Sequence, residues 1–328
     1  MSDASLQTFI HALPKTETHL HIEGALPFEL LQRVRPEFIK PPASWAKDFK
    51  FRDFEHFEQE LLDMAFTWYT SPERYHEAAK IIFARHVAQN VKYVETSFAS
   101  GVIEFLGLDG REVLAAIRAA VPVGLEVRVF LGIHHNGAGP KMMPVLEDAL
   151  GWPDLAGIDL HGTESFPIEP WTADYWEAAR KAGKYTKAHA GEFMGADFVR
   201  RVLDELRPQR IEHGTRAIED PGVVAEIKRR GIALDICPLS NHKLMPDVFL
   251  ATHPIRHLFD AAVKVTVSTD DPISFGSTLE EEYAALAEEC GFSRKELARV
   301  ARNGFEVALM PEAQKQPWLD QLDATVRG

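Results

Sequence analysis

The sequence predicts an α/β chain folded as a (β/α)8 TIM barrel with an extra helical segment after the first strand. Three observations predict it. Eight short apolar runs rich in β-branched residues recur along the chain, helical patterns separate them from residue 90 onward, and no Gly-rich phosphate loop follows any of them. Strands that are apolar almost throughout, each followed by a helix, belong to a parallel sheet covered on its outer face. Eight such units close most economically into a barrel. An open doubly wound sheet, the alternative, would carry the missing glycine loop. Residues 1–328 read as a single barrel domain, because no linker, repeat or low-complexity tract divides them.

Each element has its own signal. Strands are expected at 15–22, 91–98, 125–133, 155–160, 184–190, 209–214, 231–237 and 263–269. Ser71 before Pro72 marks the start of one helix, and Asp109 with Glu112 three residues on resembles a capping box for the next. Asp220-Pro221 opens a third that closes at Gly231; Ser293 with Glu296 opens a fourth that ends at Asn303-Gly304. The stretch 44–70 is long for a barrel connection, and Phe54, Phe57, Leu61, Ala65 and Trp68 fall at helical spacing within it. It reads as one or more amphipathic helices that either pack on the barrel wall or roof its mouth.

Composition narrows the function. With 45% hydrophobic and 26% charged residues the chain is an ordinary globular one. A formal charge of −13 argues against a nucleic-acid duplex or an anionic membrane surface as partner, since both call for a basic footprint, but leaves a small molecule open. Cys237 and Cys290 are too few for a disulfide framework or a cysteine-rich zinc site. The first residues lack the basic and apolar regions of a signal peptide, and no apolar stretch approaches the roughly 20 residues that span a bilayer. The expected setting is cytoplasmic.

The chemistry gathers at strand ends. In an extended strand alternate side chains share a face, so His19 and His21 of "THLHIEG" project together. Two imidazoles are half of a metal site. The fifth strand ends in "HAGE", with His189 and Glu192; the sixth in "EHG", with His213; the eighth in "TDDP", with Asp270 and Asp271. Singly, each has a plain structural explanation, a satisfied polar residue or a turn. Together they place ligating and acid–base groups at the carboxyl ends of four strands, the face at which barrels do chemistry. His19, His21, His189 and Asp270 form a set that suits one Zn2+ ion per chain better than Mg2+. Glu192, His213 and Asp271 are then free for proton work beside a metal-activated water.

The ordered set "LPKTETHLHIEGAL", "GIDLHGTE", "HAGE", "RIEHG", "DICPLSN" and "STDDP", within about residues 13 to 310, resembles the adenosine/adenine deaminase family of the amidohydrolase superfamily. The resemblance implies zinc-dependent hydrolytic deamination at C6 of a small-molecule purine, with ammonia released. It implies that His19, His21, His189 and Asp270 bind the zinc, that Glu192 protonates the purine N1, and that His213 orients and helps deprotonate the attacking water. By the same resemblance Asp271 hydrogen-bonds N7, and the backbone N–H of Gly162 meets N3. Glu23 stands where adenosine-specific members have an Asp that contacts the ribose 5′-hydroxyl.

Other departures bear on the substrate. Leu239 looks more like adenine deaminases than like adenosine-specific members, which usually have Thr there. "YVETSFASG" looks more like members acting on 6-aminodeoxyfutalosine. His134 and His135 replace a usual Arg-His pair, His161 a small residue, and Glu212 a glycine; each is either altered packing or a substrate contact. The expected substrate is adenosine or a 5′-modified adenosine, with free adenine as the alternative. A two-metal amidohydrolase is disfavoured, because the fourth strand ends in "DLHG" with no bridging lysine. A cytidine-type deaminase is excluded by the absence of C-x-x-C. An idle binding protein is disfavoured because every expected ligand and Glu192 are present.

Overall fold

The computed structural model describes residues 4–137 and 139–327. Eight parallel strands run in sequential order: β1 (Lys15–Glu17), β2 (Val91–Ala99), β3 (Glu126–His134), β4 (Leu155–His161), β5 (Tyr185–Ala190), β6 (Arg210–His213), β7 (Ala233–Ile236) and β8 (Lys264–Val267). Helices lie between and around them, giving the expected (β/α)8 barrel. Seven ladders join neighbouring strands. The last gap, between β8 and β1, closes through isolated bridging at Leu20 and Asp270. All eight expected strands form, but the first is shorter than 15–22. Its register shifts after Lys15, and beyond Glu17 the chain pairs only through single bridges, Leu20 to Asp270 and His21 to Ser97.

Helix signals mostly act as read. Asp109, Asp220 and Ser293 each accept a backbone N–H at a helix start, and Ser293 with Glu296 completes a reciprocal capping box. Gly231 closes its helix at φ 69°, a left-handed turn that glycine adopts without strain. Ser71 sits at its N-cap without a side-chain bond to the helix. The segment after β1 holds a helix over Phe54–Trp68 whose Phe57, Met64, Ala65 and Trp68 are buried. No helix among the described residues is long and apolar enough to cross a membrane.

One stop signal is misread. The helix Arg294–Val307 runs straight through Asn303-Gly304. Gly304 serves close approach instead: a Cβ there would lie 1.9 Å from Thr16 Oγ1 on β1. Asn303 Nδ2 donates to the Val265 carbonyl at 2.9 Å, so this pair pins the helix to both sides of the closing seam.

Gly304→Ala would gain about 1 kcal/mol in an exposed helix. Here the clash reverses the sign, and equilibrium unfolding in urea is expected to show a loss of about 1–3 kcal/mol. Adding Thr16→Ala, which removes the opposing hydroxyl, is expected to restore at least half of it.

Candidate active site

The seam between β8 and β1 builds the site. The His21 N–H donates to the Asp270 carbonyl at 3.1 Å, and the Asp270 N–H donates to the His19 carbonyl at 3.2 Å. The two histidines therefore face inward on one side of their strand segment, with the Asp270 carboxylate beside them. His189 enters from the end of β5 and His213 from the end of β6.

Three imidazoles converge nose to nose. The Nε2 of His21 lies 3.3 Å from the Nε2 of His19 and 3.3 Å from that of His189. Asp270 Oδ1 lies 3.3 Å from the Nε2 atoms of both His19 and His21. The outer nitrogens identify the tautomers. Nδ1 of His19 faces the Asp235 carbonyl at 3.3 Å, and Nδ1 of His189 faces the Leu160 carbonyl at 2.9 Å. Carbonyls only accept, so both rings carry their proton on Nδ1 and turn an Nε2 lone pair inward. Nδ1 of His21 is likewise held, 2.9 Å from Ser97 Oγ. Lone pairs aimed at one another are unfavourable unless a cation lies between them. A tetrahedral zinc bound at about 2.0–2.1 Å has an edge of roughly 3.3–3.4 Å; the four separations given match it, while His189 and the Asp270 carboxylate stand farther apart, in a group with His19 and His213 within 4.8 Å. The residues fit a divalent ion.

His213 is different. Its Nδ1 lies 3.1 Å from Asn241 Nδ2, and its Nε2 lies 3.5 Å from Glu192 Oε2 and 3.9 Å from Asp270 Oδ2. His213 and Asp270 both hold left-handed backbone, φ 61° and 63°, a strained state for non-glycine residues that clusters at functional sites. Ser240 Oγ donates to Asp270 Oδ2 at 2.7 Å and fixes the carboxylate plane.

Burial, reinforced by the Asp270 and Glu164 carboxylates, pushes the Glu192 carboxyl well above the usual range. Burial and Asp270 do the same to Asp271. Burial also opposes charge on Asp270, yet the imidazoles of His19 and His21 hold it well below that range. Glu192 Oε1 and Asp271 Oδ1 are buried without a hydrogen-bond partner among the described residues. Gly24 makes room for Asp271, since a Cβ there would lie 1.7 Å from its Oδ1.

These groups open onto a cavity of about 80 Å3 lined by His21, Glu23, His134, His161, Gly162 and Glu192 among others. At roughly 10–15 Å3 per water position it takes on the order of six waters. Phe54, Phe57, Leu61, Leu62 and Ala65 cover it, so the segment read as either wall or roof is a roof. Glu23 also lines the cavity: its Oε1 accepts from Tyr75 Oη at 2.8 Å and from the Ala99 N–H at 3.1 Å, and burial pushes its pKa up to about 7. His134 and His161 line the cavity with rings 4.4 Å apart; His135 is buried outside it, against Phe198.

Comparison with known proteins follows this geometry. The profile of the family described as Adenosine deaminase matches residues 14–325. The adenine deaminase of Rhodopseudomonas palustris is 31% identical over 340 residues, covering 97% of this chain and 96% of that protein. The adenine deaminase of Cupriavidus necator is 32% identical over 337 residues, covering 98% and 94%. The chain belongs to the adenosine deaminase family. Among solved structures, an adenine deaminase from Arthrobacter aurescens superposes with a TM-score of 0.85 at 25% identity, covering 97% of this chain and all of that one. Family membership makes the chain an aminohydrolase of the amidohydrolase superfamily.

In this family member several working residues carried no role in the sequence. Glu164, in the quoted "GTE", accepts the backbone N–H groups of Glu192, Phe193 and Met194 at 3.0, 2.9 and 2.6 Å and shapes the loop that carries Glu192. Ser240 and Asn241 sit in the quoted "DICPLSN". Glu212 points into the barrel, away from the cavity: its Oε2 lies 3.0 Å from His189 Nδ1 and its Oε1 2.6 Å from Lys187 Nζ. Asp159 Oδ1 adds a second carboxyl at 3.2 Å from His189 Nδ1. Lys187 also pairs with Glu95 at 3.1 Å and donates to the Thr18 carbonyl at 2.7 Å.

Removing one member of such a buried network leaves uncompensated charge. Lys187→Met is expected to cost about 3–5 kcal/mol in denaturant unfolding, and Lys187→Met combined with Glu212→Gln less than the single change.

Proposed function

We propose that this chain is a zinc-dependent aminohydrolase that converts free adenine to hypoxanthine and ammonia, with His19, His21, His189 and Asp270 as the metal ligands. The observation that carries the aminohydrolase reading is the convergence of His19, His21, His189 and Asp270, with four separations of 3.3 Å, beside the buried carboxyls of Glu192 and Asp271. Zinc, when bound there, makes water a nucleophile near neutral pH.

The chain's own residues do the rest. Glu192, an acid by virtue of burial, gives its proton to N1 and makes C6 electrophilic. Asp271, also kept protonated, donates to N7, and the Gly162 N–H meets N3. His213 orients the attacking water and helps take its proton, which then leaves with the amine as ammonia. Collapse of the tetrahedral ring adduct expels ammonia.

Three observations favour the base over the nucleoside that the sequence departures suggested. The relatives are named adenine deaminases. The cavity is small, about 80 Å3. Glu23, one methylene longer than the Asp that the resemblance places at the ribose 5′-hydroxyl, has its Oε1 held by Tyr75 and the Ala99 N–H.

Spectrophotometric ranking of kcat/KM over adenine, adenosine, 2′-deoxyadenosine, 5′-methylthioadenosine and 6-aminodeoxyfutalosine is expected to put adenine first by about 1000-fold or more. Adenosine at the head of that ranking would overturn the base reading. Glu192→Gln is expected to keep its zinc by elemental analysis while kcat drops about 100- to 10,000-fold. Asp270→Ala is expected to lose metal as well as rate; full zinc content in that variant would remove Asp270 from the ligand set.

A further inference from the structure

His134 is the polar wall of the cavity for which the proposed chemistry has no use. It ends β3 in register with His161 at the end of β4. The His161 ring stacks on His21 with centroids 5.4 Å apart, and the His134 ring lies 4.4 Å beyond His161. The imidazoles thus form a row that leads from the ligand cluster into the cavity, with His134 at the remote end. Two glycines make its berth: a Cβ on Gly162 would lie 2.6 Å from His134 Nδ1, and one on Gly101 3.3 Å from its Cδ2. The ring has this berth because neither position carries a side chain. Burial, with the imidazoles of His21 and His189, lowers its pKa to about 4, so it is neutral and keeps one acceptor nitrogen. Neither ring nitrogen has a hydrogen-bond partner among the described residues.

A purine bound with C6 at the ligand cluster turns its opposite edge, C4 and N9, toward this end. In the free base N9 carries a hydrogen; in a nucleoside it carries a carbon. Glu23, the other polar group in that corner, commits Oε1 to Tyr75 and Ala99. We infer that His134 reads the unsubstituted N9–H of the base, accepting its hydrogen bond and blocking any substituent there, and so sets the choice of base over nucleoside. This rests on the adenine reading above. A buried acceptor facing a methyl or glycosidic carbon loses its bond and meets a clash, the arrangement that gives strong discrimination.

The test compares adenine with 9-methyladenine, which differs at that atom alone. Wild-type, zinc-loaded protein is expected to prefer adenine by about 1000-fold in kcat/KM. His134→Ala is expected to lower the adenine value about 10- to 100-fold and raise that for 9-methyladenine at least about 10-fold. His134→Phe, which keeps the volume but not the acceptor, is expected to lower adenine similarly and leave 9-methyladenine excluded. Zinc content and melting temperature near wild type show that either variant is folded. An adenine to 9-methyladenine ratio within about threefold of wild type in both variants overturns the inference. If the variants fail to fold, equal turnover of the two bases by wild type overturns it, and a wild-type preference for adenine of about 1000-fold supports it. Wild type that prefers adenosine to adenine sinks the adenine reading; an adenine-specific wild type with an unmoved ratio sinks only the role of His134.

Discussion

The structure turns on how its first and last strands meet. Every other neighbouring pair has a ladder, but β1 and β8 are joined mainly by the residues that form the site. Thr18 N–H donates to Ser268 Oγ at 3.0 Å and Thr269 N–H to Glu17 Oε1 at 3.0 Å, below the reciprocal bonds of His19, His21 and Asp270. Closing the barrel and bringing Asp270 Oδ1 within 3.3 Å of the Nε2 atoms of His19 and His21 are therefore one event. The left-handed backbone at Asp270 is tolerated because the seam over-determines it. A cation at this point would bind the two halves of the seam together, which couples metal affinity to closure.

Behind the seam the barrel is filled with charge rather than hydrocarbon. Lys187 and Arg210 face Glu95, Asp159, Glu212 and Asp235, all at most 2% exposed. Arg210 pairs with Glu95 and, at 2.8 Å, with Asp235. Four carboxyls face the two cations, burial with the Glu212 carboxylate raises the Asp159 pKa to about 7, and Glu212 and Asp159 aim theirs at His189 Nδ1. That polarises the imidazole toward its inner lone pair and favours a divalent ion among the ligands. The outer layer carries the ordinary apolar core, where helices pack on the strands.

Much of this was legible in the chain because it is local. The alternation that puts His19 and His21 on one face, the strand-ending "HAGE" and "TDDP", and the caps at Asp220 and Ser293 each depend on a few neighbouring residues. What stayed hidden depends on residues far apart. Lys187 meets Glu95 only because β5 and β2 face one another across a closed barrel. Glu212, weighed as packing or as a substrate contact, turns inward for the same reason. Gly304 looked like a helix end because Asn-Gly usually is one, and only the approach of Thr16 explains it. The length of β1 was overread since its alternation continues to Ile22 although its ladder stops at Glu17.

The roof over the cavity joins the apolar core to the polar site. Phe57 stacks on Phe275 at 5.5 Å, with Phe51 and Leu244 packed around them. Phe275 lies in the short helix Pro272–Phe275 that begins one residue after Asp271. At the other end, Tyr69 Oη donates to the Ile22 carbonyl at 2.6 Å, one residue after His21. The cover over Phe54–Trp68 is thus anchored on both strands of the closing seam. Burial is the first cause of the raised pKa of both Glu192 and Asp271. An apolar lid that keeps water from these carboxyls raises the pKa of both. The hydrophobic spacing that the 44–70 segment shows at the level of sequence is, through this packing, part of what sets the acidity of the cavity's carboxyls.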